Sequence, residues 1–287
     1  MPELPEVETV RQTILPSVTG RQIDMISPLT PGVYLSGGLD ASGSIITDVR
    51  RRGKYLLLDL IPQDGLHGPL IMLVHLRMTG RLLLRERDET PPRHTHLRLR
   101  LTRPDQPDNP IWLDFHDTRR FGRVWLLTAD PEGRPVGAPG GYDALGPEPL
   151  GPEFSAAWLQ GLRDKRKNTS LKAFLLDQTV IAGLGNIYAD ESLFAAKLAP
   201  DQSVGTVSDT QFSQLADAVR QVLADAVSCQ GTSLRDYVDG WNRKGRFQDC
   251  LMAYGRAGQP CRICGTIMRK MKLAGRTTCW CPDCQSS

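Results

Sequence analysis

The chain has 287 residues, 40% of them hydrophobic and 23% charged, an ordinary composition for a globular protein long enough for two domains with cores of their own. No apolar run reaches the length of a membrane span, and the acidic N-terminus lacks a basic-then-apolar leader, so the expected location is the cytosol, with no membrane partner. Net charge is only +3, but residues 240–287 carry +7 and leave −4 for the rest of the chain, a basic tail that suits an anionic partner, nucleic acid first.

The chain starts Met1-Pro2-Glu3-Leu4-Pro5-Glu6. Removal of Met1 would leave a proline secondary amine, partly neutral near pH 7, with a carboxylate one residue away to move protons. Taken alone, the same residues read more simply as a stiff, frayed terminus. From Pro5 to about Leu15 the pattern is helical, with Val7, Val10 and Ile14 on one face and Pro16 as a stop. Glu6 would orient the amine or a substrate hydroxyl, or simply favour the helix N-terminus.

Strands follow at Lys54–Leu60, Leu70–Leu76, Thr95–Leu101, Ile111–Phe115 and Arg123–Leu127, with Leu97, Leu99 and Leu101 inward and Arg98 and Arg100 outward. Gly37-Gly38, Pro91-Pro92 and the run from Pro104 to Pro110 supply loops, and short strands in series suggest an antiparallel sandwich. Three polar clusters interrupt the pattern. Arg50-Arg51-Arg52-Gly53-Lys54 offers phosphate partners, Lys54 above all. His75-Leu76-Arg77-Met78-Thr79-Gly80 puts a methionine at a turn. Asp114–Gly122 combines Arg119 and Arg120 with Phe121. Met78 and Phe121 read equally well as core residues or as wedges that replace an extruded base.

Residues 131–152 are rich in Gly and Pro and read as a linker between a domain at 1–130 and a helical one at 153–250. Ser208–Cys229 is the strongest helix there. Ser170–Asp177 and Ile187–Ala195 are short helices flanking Gly183-Leu184-Gly185-Asn186, where Asn186 suits an N-cap and Lys172 adds a cation to a turn shaped for a nucleic-acid backbone. The last segment, 251–287, holds Cys261-x2-Cys264-x16-Cys281-x2-Cys284, the spacing of a zinc ribbon. Four thiolates would saturate one zinc ion, so the metal is expected to be structural. Arg269, Lys270, Lys272 and Arg276 lie between the knuckles, with Gly275 suited to the turn and Arg276 near its tip. Cys229, Cys250 and Cys279 read as structural or incidental thiols.

Pro2–Glu8, Arg51–Tyr55, Asp117–Gly122, Gly183–Tyr188 and the four cysteines, in that order along essentially the whole chain, resemble the bacterial formamidopyrimidine-DNA glycosylase family. The resemblance implies an α+β protein: an N-terminal antiparallel β-sandwich with flanking helices, then a helix–two-turn–helix domain ending in a zinc-ribbon hairpin. It implies a monomer that removes 8-oxoguanine and formamidopyrimidines from double-stranded DNA and cleaves the strand by β- and δ-elimination, working at the nucleoid during repair. By position, Pro2 would be the nucleophile and Glu3 the proton carrier. Lys54, Lys172, Asn186 and Arg276 would hold phosphates, and His94 and Arg119 would add DNA contacts. Met78, Arg119 and Phe121 would fill the space of the extruded nucleotide, which favours the wedge over the core. Thr232, Ser233, Arg235 and Tyr237 are candidates for base contacts. Two alternatives remain: an endonuclease VIII-like enzyme for oxidised pyrimidines, and a non-catalytic protein that binds damaged DNA.

Overall fold

The structure is a computed structural model that describes residues 1–65, 68–234 and 237–285. It divides into two compact units, one formed by Met1–Asp143 with Gln230–Gly245, the other by Ala144–Cys229 with the chain from Arg246 on.

The first unit begins with helix α1, Leu4–Val18. Nine strands follow: β1 Gln22–Pro28, β2 Tyr34–Leu35, β3 Ile45–Arg52, β4 Tyr55–Ile61, β5 Leu70–His75, β6 Gly80–Arg85, β7 Thr95–Arg103, β8 Gln106–Asp117 and β9 Arg123–Thr128. They hydrogen-bond in the order β2-β9-β5-β4-β3-β1-β7-β8-β6. All pairs are antiparallel except the short β2–β9 pair, which is parallel. The sheet folds over into a sandwich, with β2 and β6 as its edge strands. Leu58, Met72, Val74 and Val124 from one half line the same interior space as Leu82, Leu97, Leu99, Leu113 and Phe115 from the other. A register shift between Ile23 and Met25 marks the strand that joins the halves.

The expected elements appear with three informative departures. α1 runs through Pro16 to Val18 instead of stopping, because a proline in the last turn removes a single backbone bond and Thr19 N still donates to Leu15 O at 3.1 Å. Arg98 is buried, not outward: it stands in register with Asp114 and pairs with its Oδ1 at 3.1 Å. The proline run 104–110 is a tight turn followed by the start of β8, where the strand pairs with β7 alone, and an edge tolerates proline.

The second unit contains α2 Ala156–Gly161, α3 Leu171–Leu176, α4 Asn186–Ala195, α5 Asp209–Ser228 and a hairpin of β10 Arg269–Leu273 and β11 Arg276–Trp280. α5 starts at a capping box in which Gln211 N donates to Ser208 Oγ at 3.2 Å and Ser208 N to Gln211 Oε1 at 2.9 Å. Phe212, Leu215, Val219, Leu223 and Ala226 form its buried face. The break between units falls after Asp143. Residues 230–245, which the sequence reading assigns to the second domain, group with the first unit instead. Thr232 N donates to Glu6 Oε1 at 2.7 Å and Gly240 N to Thr13 Oγ1 at 3.1 Å, and Gly240 O accepts from Leu84 N at 2.8 Å.

Candidate active site and nucleic-acid interface

At the N-terminal tip, Met1 is exposed while Pro2 and Glu3 are buried. Glu6 pins the tip: its Oε2 accepts from Glu3 N at 2.8 Å and its Oε1 from Thr232 N at 2.7 Å. Both oxygens thus serve backbone amides, which gives Glu6 an anchoring task beyond the helix-end electrostatics expected of it. Lys54 lies in the turn between β3 and β4 and is only 7% exposed. The arginines before it are less available to phosphate than the sequence suggests. Arg50 forms a two-point pair with Asp59 at 2.5 and 2.6 Å, and Arg51 Nε lies 3.0 Å from Glu8 Oε2, tying β3 to α1. Burial pushes the Glu8 carboxyl up, but Arg11 and Arg51 outweigh it and hold the group below its ordinary range.

Beside Lys54, His75 closes β5. Its Nδ1 accepts from Arg77 N at 3.0 Å, and its ring meets Tyr55 edge-on at 4.5 Å. Burial first, then the charges of Arg77 and Lys54, push its pKa down to about 3, so the imidazole is neutral.

Met78, Arg119 and Phe121 come together on two neighbouring loops. Met78 is 44% exposed and Phe121 53%, and Arg119 Nη1 approaches Met78 Sδ at 3.7 Å. Both large apolar side chains stand in water beside a cation, so neither is part of the apolar core. Asp117, fully buried, holds both loops. Its Oδ1 accepts from the Thr79 hydroxyl and from Arg119 N at 3.0 Å, and its Oδ2 from Gly122 N at 2.7 Å. Burial pushes this carboxyl up, and those donors bring it below its ordinary range. Gly122 is required there, since a Cβ would lie 2.6 Å from Phe115 Cζ. His94, half-buried, accepts from Asp117 N at 3.0 Å through its carbonyl and packs edge-on against His116 at 6.0 Å. Of the candidate base contacts, Ser233 Oγ donates to Tyr237 O at 2.9 Å and accepts from Gly245 N at 2.9 Å, a loop-closing role; Arg235 lies outside the described residues.

In the second unit α4 organises the site. Gly185, not Asn186, is its N-cap; Asn186 is the first helical residue, and its Nδ2 donates to Thr277 O at 3.0 Å. That bond brings Asn186 beside Arg276, which is exposed at the hairpin tip next to the Ala274-Gly275 turn, both turn residues having positive φ. Lys172 corrects the sequence reading. It is fully buried, with Nζ 2.6 Å from Asp190 Oδ1 and 2.9 Å from Asn186 O, so it positions Asn186 and does not touch phosphate. Asp190 also accepts from Cys279 N at 3.1 Å, and burial pushes its carboxyl up to about 6 against the pull of Lys172. Its neighbour Glu191 accepts from Met252 N, Ala253 N and Tyr254 N at 2.8–2.9 Å. Asp190 and Glu191 went unnoticed in the sequence. Their only signal is two adjacent acids among the apolar residues of a short helix.

The four ribbon cysteines converge. Their sulfurs lie within 4.8 Å of one another, with Cys261–Cys284 at 3.9 Å and Cys264–Cys281 at 3.5 Å. Tetrahedral zinc with Zn–S bonds of about 2.3 Å needs sulfur–sulfur edges of about 3.8 Å, so the set suits one zinc ion. Ile263 N and Cys284 N each donate to a cysteine sulfur at 3.4 Å, as knuckle amides do.

Family models match along the chain: the formamidopyrimidine-DNA glycosylase N-terminal domain over residues 1–124, the H2TH domain of the same enzyme over 145–238, and the zinc finger found in FPG and IleRS over 258–286. A formamidopyrimidine-DNA glycosylase of Heliobacterium modesticaldum is 45% identical over 293 residues, covering 99% of this chain and all of that one. The MutM (FPG) protein of Thermus thermophilus has a similar crystal structure, with a TM-score of 0.84, 37% identity and coverage of 100% and 99%. A Lactococcus lactis FPG variant in complex with Fapy-dG containing DNA gives a TM-score of 0.85 at 32% identity, with full coverage of both chains. With these three family models matched in order along the chain and a relative 45% identical over 99% of it, the chain belongs to the formamidopyrimidine-DNA glycosylase family.

Proposed function

We propose that this chain, as a DNA-repair glycosylase of its family, excises oxidised purines from duplex DNA through a covalent bond between Pro2 and the sugar, then cleaves the strand. The observation that carries the reading is the tip itself: Pro2 and Glu3 are buried and pinned through Glu6, where a first segment would ordinarily fray. With Met1 gone, the Pro2 amine attacks C1′, the damaged base leaves with the bonding pair, and the proton shed by the amine nitrogen passes to the Glu3 carboxylate. Glu3 protonates O4′ as the deoxyribose ring opens to an iminium, which acidifies the C2′ proton. Loss of that proton expels the 3′ phosphate, and a second elimination expels the 5′ phosphate. While Met1 is attached, Pro2 N is an amide nitrogen and none of this occurs.

Lys54, Asn186 and Arg276 hold phosphates about the lesion. Asn186 has a second Nδ2–H left for this beyond the one given to Thr277. Met78 and Phe121 occupy the space of the extruded nucleotide, and Arg119 reaches the base left without its partner. His94 adds a contact near the same loops. Zinc, when bound, supplies a rigid hairpin for Arg276 and takes no part in the chemistry. The enzyme acts as a monomer in the cytoplasm, associating with the nucleoid during repair; no helix among the described residues is long and apolar enough to cross a membrane.

Borohydride trapping on an 8-oxoguanine:C duplex tests the mechanism. Met1-processed protein should form a covalent adduct, and Pro2→Gly and Glu3→Gln should each lower base excision on the order of a thousand-fold. No adduct from processed protein would overturn the proline chemistry. Faster excision of thymine glycol than of 8-oxoguanine would move the substrate to oxidised pyrimidines.

A further inference from the structure

Strand β7 slips its register once near its start. Thr95 stands opposite His116 and Leu97 opposite Phe115, which are neighbours on β8, so His96 is the extra residue of a bulge. Its side chain is buried against the backbone of Asp117, the last residue of β8, with Nε2 2.7 Å from Asp117 O. A carbonyl only accepts, so Nε2 carries the ring proton and donates. In the neutral ring Nδ1 is then an acceptor, and the Thr30 hydroxyl, 2.8 Å away, donates to it. Leu29 N donates to His96 O at 2.9 Å, which fixes Thr30 beside the ring. One imidazole thus joins the loop after β1 to the end of β8, and Thr30 sets its tautomer.

Asp117 O also accepts from Arg120 N at 3.4 Å, the bond that closes the turn carrying Arg119. Arg120 has a φ of 57° in that turn, a conformation uncommon for a non-glycine residue and kept only where its surroundings hold it. The Asp117 carboxylate holds the Met78 and Phe121 loops to each other, while the His96 bond holds the Asp117 carbonyl, and with it the turn, to the sheet. We propose that His96 is a positioning residue for base extrusion: its Nε2–H fixes the turn from which Arg119 and Phe121 enter the duplex, and Thr30 keeps the proton on Nε2. The proposal rests on the reading of Met78, Arg119 and Phe121 as the groups that occupy the space of the extruded nucleotide. Without the His96 bond, Asp117 O is left with the longer one from Arg120 N, and Arg120 relaxes from its left-handed conformation, carrying Arg119 and Phe121 with it.

The test follows extrusion apart from chemistry, with Met1-processed, zinc-loaded protein. Stopped-flow fluorescence of a 2-aminopurine next to 8-oxoguanine, itself opposite cytosine, reads unstacking as the nucleotide leaves the helix. Single-turnover assays compare base excision from the same lesion with strand cleavage at a preformed abasic site, where no base pair has to be broken. His96→Phe keeps a ring and loses both nitrogens; it should slow the fluorescence step and base excision by about tenfold relative to abasic-site cleavage. His96→Gln, whose amide donates from near the position of Nε2, should recover most of both rates. Thr30→Val should slow extrusion by about threefold, and nitrogen NMR should show a second His96 tautomer in it where the wild type has the Nε2–H form alone. This variant leaves the ring in place and keeps the test open should His96→Phe fail to fold. Equal slowing of excision and abasic-site cleavage in His96→Phe, or unchanged extrusion in Thr30→Val, would overturn the proposal. Phe121→Ala tests the underlying extrusion reading separately. An unchanged fluorescence step there overturns the role of Phe121, whereas a slowed step there beside an unchanged one in His96→Phe overturns the role of His96 alone.

Discussion

The two units hold their functional side chains with the same device on different foundations. In each, buried carboxylates accept from groups distant in sequence: Glu6 from Thr232 N and Asp117 from the Thr79 hydroxyl in the first unit, Asp190 from Cys279 N and Glu191 from Ala253 N in the second. Asp117 rests on a two-layer apolar core, so its loops are fixed by the sandwich beneath them. Asp190 and Asn186 hold β11, a strand of a hairpin too small to bury a core by itself, and the cysteine cluster has to supply what the core does not. The first site should therefore survive loss of metal, and the second should not.

Metal removal is the strongest way to break that comparison. Cys261→Ser, or chelation, withdraws a binding energy of about 10–16 kcal/mol from the hairpin. With Arg269, Lys270, Lys272 and Arg276 no longer ordered, DNA affinity should fall by about a hundred-fold or more, while calorimetry still shows the sandwich melting. Disappearance of both transitions would mean that the sandwich has no stability of its own.

Next in size is Lys172→Met. It leaves Asp190 buried without its cation and should destabilise the second unit by about 3–5 kcal/mol. The slope of DNA affinity against salt should not change. A slope smaller by about 0.9 would restore Lys172 as a phosphate contact.

These two variants mark how far the sequence could be read. Periodicity located α1, α5 and five of the strands, and cysteine spacing located the zinc set, because each signal is local. Lys172 was misjudged because burial of a lysine is decided by Asp190, a partner eighteen residues away on another helix. Arg98 was misjudged for the same reason: alternation points it outward until Asp114 is seen opposite it. Asn186 has the chemistry of a cap, yet its amide goes to Thr277, ninety-one residues on. Asp117 stood within a quoted motif without a role, since nothing local says that Thr79 and Gly122 are its partners. What stayed hidden is the set of long-range polar contacts, and those are what aim the side chains.

Asp117→Ala tests the first unit's version of the device. It leaves the Thr79 hydroxyl, Arg119 N and Gly122 N without their acceptor and should cost about 2–4 kcal/mol. Since the loops that carry Met78 and Phe121, proposed to fill the space of the extruded nucleotide, lose their common anchor, binding to duplex containing an abasic-site analogue should weaken by about tenfold more than binding to undamaged duplex. Equal weakening of both would reduce Asp117 to a stability residue.

The last comparison is read as a slope against pH and concerns His75; it separates a core that excludes protons from one that merely packs. Unfolded, His75 takes up a proton near its ordinary value of 6.5; folded, burial together with Arg77 and Lys54 delays this to about 3. Between those values the unfolded chain binds the proton and the native one does not, so stability falls as pH drops from 6.5 towards 3, by up to about 1.4 kcal/mol per pH unit. Above 6.5 the contribution is fully present. His75→Asn keeps an acceptor for Arg77 N and removes the titration, so urea unfolding between pH 7 and pH 4 should show a shallower acid loss in the variant. Parallel profiles would mean that the imidazole beside Lys54 is protonated in the folded protein, which would place a second cation where Lys54 is proposed to meet phosphate.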